Sequence, residues 1–118
     1  MVEKFNLTLD INEKVNNLDD LKRSIMEIKN IESVDKIKTA GIGLCLLIVV
    51  VAPLIAEVII HKAAPAIKKL KKRLKEVLEK SKISSDKGKV TIQYKALNIS
   101  MKNEKEIDLG VDRLVNYD

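Results

Sequence analysis

Tryptophan is absent from this 118-residue chain, and Phe and Tyr together contribute only three residues. A core of ordinary composition uses more aromatic side chains, so the 46% apolar content must be aliphatic and locally concentrated. The Trp/Tyr belt that often anchors a spanning helix at both interfaces is also missing. A single cysteine, Cys45, excludes an intrachain disulfide and a thiolate zinc cluster. Its place inside an apolar stretch predicts a small hydrophobic residue rather than a reactive thiol. A single histidine, His61, excludes a multi-histidine metal site within one chain.

Catalytic and cofactor signatures are equally scarce. Gly41-Ile42-Gly43 lacks the third glycine and the preceding strand of a dinucleotide fingerprint, and no Walker-type lysine follows it. Ser84 and Ser85 stand in a polar stretch without a neighbouring histidine, which predicts a solvated turn. Asn6 and Asn98 match the glycosylation tripeptide but fall within predicted strands. The expectation is therefore a non-enzyme with no cofactor, no metal and no small-molecule substrate.

Charge is plentiful but uneven. Residues 1–38 and 83–118 are nearly balanced, whereas residues 62–82 hold nine basic groups against two acidic ones and account for the net charge of +5. Immediately before this segment, TAGIGLCLLIVVVAPLIAEVII opens with 18 uncharged residues. A helix of roughly 20 apolar residues crosses a ~30 Å hydrocarbon core. The run therefore predicts a transmembrane segment over 39–61, with Pro53 as a kink and Ala52 and Ala56 as a small-residue pair. Glu57, the one acid in this zone, is expected to lie at the interface and face His61 four residues on. A secretory signal is disfavoured because the apolar stretch starts some 38 residues into the chain.

The flanks carry periodic patterns. Phe5, Leu7, Leu9 and Ile11 alternate with polar residues and predict a strand. Leu18, Leu21, Ile25 and Ile28 recur at helical spacing after a candidate N-cap, Asn17, with Asp19 and Asp20 in the first turn. Ser33–Thr39 predicts a short second strand around Val34 and Ile37. From Ile60, the residues Ala63, Ile67, Leu70, Leu74 and Val77 form an apolar stripe on a basic amphipathic helix, expected to continue the apolar one through Pro65. After a linker, Val90, Ile92 and Tyr94 alternate in one parity and Leu97, Ile99 and Met101 in the other, a switch near Lys95–Ala96 that predicts a bulge or a bend changing face, with Lys102–Lys105 as the polar loop and Ile107–Val111 as the returning strand of a β-hairpin.

The favoured reading is an α+β chain in four parts: a strand–helix lobe (1–38), the apolar transmembrane helix (39–61), a basic juxtamembrane helix (62–82) and a linker with the hairpin (83–118). Its function would be anchoring, assembly or interaction as a single-pass membrane protein. The excess of Lys and Arg after the span places the C-terminus in the cytoplasm. Lys68, Lys69, Lys71, Lys72, Arg73 and Lys75 are the candidate contact for anionic lipid headgroups or an acidic partner, homo-oligomerisation is possible, and nucleic acid is disfavoured.

The alternative is a soluble α+β interaction domain whose apolar stretch is core or an oligomer interface. In it, GLCLLIVVVA is a buried central strand and a helix starts at Pro53. One topological fact separates the two readings: if the first strand pairs with the hairpin, both ends lie on one side and a single crossing is impossible.

Overall fold

In the computed structural model, which describes residues 6–11, 18–39, 43–84 and 89–117, the 18-residue uncharged run is not one element. It divides into a strand, β3 (Gly43–Val50), and a helix, α2 (Ala52–Ile59), separated only by Val51. The division follows local chemistry. Leu44 to Val50 are aliphatic or β-branched apart from Cys45 and suit a strand, whereas Pro53 lacks the N–H that a ladder requires and sits in the first turn of α2, where that loss costs nothing.

The remaining elements are β1 (Asn6–Ile11), α1 (Leu18–Met26), β2 (Ile31–Thr39), α3 (Ala64–Ser84), β4 (Lys89–Tyr94), β5 (Leu97–Met101) and α4 (Glu104–Val115). The five strands form one antiparallel sheet in the order β2-β3-β1-β4-β5. Leu9 is paired with Leu46 on one side and with Val90 on the other. The first strand thus sits between the apolar run and the C-terminal hairpin. This register overturns the single-pass architecture and the orientation derived from it, because the two halves of the chain share a sheet.

No helix among the described residues is long and apolar enough to cross a membrane. The radius of gyration, 13.5 Å, equals the ~13.5 Å of a compact chain of this length, not that of two lobes joined by an extended helix.

The helices supply a single layer. Leu21 and Ile25 of α1, Leu54 and Val58 of α2, Leu70, Leu74, Val77 and Leu78 of α3, and Ile107, Val111 and Leu114 of α4 join one core with Leu7, Leu9, Leu46, Ile48, Val90, Ile92, Ile99 and Met101 of the sheet. The stripe on α3 is therefore buried against the protein's own strands. Ile60, predicted as its first member, is 56% exposed, because the helix does not run through. Lys62 takes a left-handed φ of 50°, and α3 restarts with Pro65 in its first turn.

Two further departures lie near the C-terminus. The parity switch at Lys95–Ala96 is the hairpin turn itself: Tyr94 pairs with Leu97, and Lys95 adopts the positive φ (53°) that two-residue hairpin loops use. Ile107–Val111, expected as a strand, lies in α4. Asn103 caps this helix, its Oδ1 accepting from the Glu106 N–H at 2.9 Å while Glu106 Oε1 accepts from the Lys102 N–H at 2.8 Å. The predicted N-cap Asn17 and the strand residue Phe5 lie outside the described residues.

Helix α4 approaches β5 through Gly110, where a Cβ would stand 2.7 Å from Met101 Sδ and 3.0 Å from Ile99 Cγ2. Both neighbours are buried, so a branched side chain must push the helix off the sheet. Gly110→Val is expected to destabilise the fold by about 3 kcal/mol, the upper part of the range for overpacked cores. An unchanged midpoint in urea denaturation would contradict this packing.

Candidate functional site

The basic segment becomes the middle of the helical layer. Because α3 buries Leu70, Leu74, Val77 and Ser81 against the sheet, its lysines are distributed over the flanks and the outward side. The Ser81 hydroxyl, in the core, donates back to the Leu78 carbonyl at 2.7 Å. The six candidate contact residues then separate into two groups.

Lys71, Arg73 and Lys75 serve the fold. Lys71 Nζ lies 2.8 Å from Asp112 Oδ1 and Lys75 Nζ 2.9 Å from Asp108 Oδ1, two ion pairs that tie α3 to α4. Arg73 is the most enclosed of the six. Its Nε donates to Asn30 Oδ1 at 3.1 Å and its Nη1 to Glu76 Oε1 at 3.0 Å. Asn30 is itself a junction: it turns the chain from α1 into β2 with φ 70°, and its carbonyl accepts from the Val51 N–H at 2.8 Å. Arg73 therefore braces the point where α1, β2 and the end of β3 meet α3.

Lys68, Lys69 and Lys72 are exposed, and none forms an ion pair among the described residues. Lys69 rims a groove of about 380 Å³ between α2 and α3, whose floor includes Val51, Leu54 and Ala66. Lys72 borders the cleft between α1 and α3, with Glu76 and Glu79 beside it on α3 and Glu27 on the α1 side. Lys62 and the protruding Ile60 occupy the α2–α3 corner at the same end of the layer. The exposed positive charge is thus concentrated on the N-terminal half of α3. No acidic residue occupies the first turn of that helix, so its dipole adds to the local positive potential.

Other sequence candidates are placed plainly. Cys45 is buried within β3. Glu57 and His61 are both exposed on α2 and just beyond it, and no ion pair joins them. Asn98 is exposed on β5. Ser84 ends α3, and Ser85 lies outside the described residues. Among the described residues no group of three or more His, Cys, Asp or Glu could hold a metal ion.

Sequence reasoning missed the partners that neutralise half of the basic set. Asp108 and Asp112 are four apart, as are Lys71 and Lys75, so two facing helices would bring them into register. That signal was hidden while Ile107–Val111 read as a strand. A scan against protein-family models finds no match, and neither do searches of curated proteins and of solved structures.

Proposed function

We propose that this chain is a non-catalytic interaction domain that docks an acidic surface against Lys68, Lys69 and Lys72 of α3. The observation that carries the reading is the contrast within one helix. Lys71 and Lys75 are matched to carboxylates of α4, whereas the three outward lysines have no ion-pair partner among the described residues. Their concentration beside Lys62 along the first half of α3 gives a local positive field that an anionic partner would relieve. The chemistry recognised is phosphate or carboxylate, as found on anionic lipid headgroups or on an acidic polypeptide.

The test is binding at low salt to vesicles containing phosphatidylserine, with neutral vesicles as the blank, and in a second arm to poly-glutamate. Each lysine near an anionic surface contributes about 1 kcal/mol. Lys68→Ala, Lys69→Ala and Lys72→Ala together are therefore expected to weaken binding about 100-fold. Lys71→Ala with Lys75→Ala should change it only a few-fold. Absence of binding in both arms, or equal losses for the two sets, would contradict the proposal.

A further inference from the structure

Met26, Ile60 and Leu109 are the large apolar side chains left exposed among the described residues. Single exposed apolar side chains are ordinary, and their surroundings decide what each one means. Met26 is followed by Glu27, and Leu109 stands next to Asp108. Ile60 differs, because from Val58 to Lys75 the chain holds seven Lys and Arg and no Asp or Glu.

Small apolar residues extend the patch around it. Ala64 and Pro65 are exposed, and Ala63 and Ile67 are half-buried. Pro65 borders two open grooves, one of about 380 Å³ with Val51, Leu54 and Ala66, the other of about 520 Å³ with Ala64 and Ile67. Lysines rim both, Lys69 the first and Lys68 the second. Glu57, the nearest acid in sequence, lies a turn back on α2 at the border of the first groove. The corner is also held in place. The Ile60 N–H donates to the Ala56 carbonyl at 2.9 Å and the Ala63 N–H to the Glu57 carbonyl at 3.0 Å. Presenting Ile60 therefore requires no ordering of a loose loop, which would otherwise weaken binding.

We infer that the α2–α3 corner is a peripheral membrane contact, in which Ile60 enters the acyl boundary of an anionic lipid surface while Lys62, Lys68 and Lys69 hold the headgroup phosphates. The contact lies on the bilayer and does not cross it. This step rests on the acidic-surface reading and selects lipid over polypeptide by its layering. An anionic bilayer offers charge at its surface and an apolar layer ~5–10 Å below. Lys68 and Lys69 follow Ala64 by about 6–8 Å along the axis of α3, and their flexible stems extend that reach. Their ammonium groups can thus stay among the headgroups while Ile60 sits deeper. Poly-glutamate matches the lysines but offers Ile60 nothing apolar. Only the corner is available for insertion, because Leu70, Leu74 and Val77 further along α3 are already buried in the core.

The test uses the full chain, phosphatidylserine vesicles and poly-glutamate. Ile60→Ser, at an exposed position where folding is not at risk, should weaken vesicle binding about tenfold and leave poly-glutamate binding unchanged. A solvatochromic label on Ile60→Cys should shift to the blue on the vesicles, and the same label on Leu109→Cys should not. Cys45 is buried in β3 and stays unlabelled in the folded chain. Vesicle binding that needs Lys68, Lys69 and Lys72 but not Ile60, with no spectral shift at position 60, would overturn the insertion and leave the acidic-surface reading standing. Binding to poly-glutamate alone would do the same. Absence of binding to either probe would remove the acidic-surface reading and the insertion together.

Discussion

Ile48→Asp is expected to leave the chain unfolded, whereas Leu47→Asp and Val49→Asp, its immediate neighbours, should fold. Ile48 is fully buried between Val34 and Leu7 on the helical side of the sheet. The change removes roughly 3 kcal/mol of apolar burial and places a carboxylate at a fully buried position, at a further cost of several kcal/mol. The total rivals the ~5–15 kcal/mol that holds a domain of this size together. Leu47 and Val49 are half-buried on the other face, outside the core, so their carboxylates can reach water. The alternation is diagnostic, because a helix through the same residues would give tolerance at intervals of three and four rather than two. Far-UV circular dichroism and urea titration of the three variants read it directly. Equal damage at 47, 48 and 49 would contradict the strand.

The second large effect is expected at Leu74. This residue is fully buried at the middle of α3, the helix that packs against α1, α2 and α4 as well as the sheet. A cavity opened there borders several elements that cannot all collapse into it. Leu74→Ala should cost about 3–4 kcal/mol, within the 2–5 kcal/mol range for buried leucines. Thermal unfolding should then begin at least ~10 °C lower. A comparable truncation at Leu109, on the exposed side of α4, should fall within ±0.5 kcal/mol. Loss of less than about 1 kcal/mol at Leu74 would contradict the placement of α3 at the centre of the core.

The flanking elements were legible because each carries its own period and stop signal. Leu7 and Leu9 alternate in β1, Leu21 and Ile25 share a face of α1 with Asp19 and Asp20 in its first turn, and Val34 marks β2. The apolar run was illegible by length alone. Two eight-residue elements abut with only Val51 between them, so no polar linker interrupts the hydropathy. Pro53 was the one available divider. As a helix kink it fits a single span, and as a first-turn residue it fits a strand–helix junction; only the long-range pairing of β1 with both β3 and β4 decides between them.

Helix α4 was readable but misread. Asn103 with Glu106 three residues on, followed by Ile107, Val111 and Leu114, is a capped amphipathic pattern. A strand at Ile107–Val111 follows only if the hairpin turns at Lys102–Lys105, whereas the turn is at Lys95–Ala96. The candidate site depends on this difference, because Asp108 and Asp112 pair with Lys75 and Lys71 only when both segments are helices packed side by side.

The central claim is that the apolar run supplies a strand adjacent to β1 and that β1 also borders the hairpin. Cross-strand nuclear Overhauser contacts in the isotope-labelled chain test it most directly. The account predicts backbone contacts from Leu9 to both Leu46 and Val90, and from Leu7 to both Ile48 and Ile92. Helical sequential contacts running unbroken from Leu44 to Ile59, with none from β1 to residues 44–48, would contradict it.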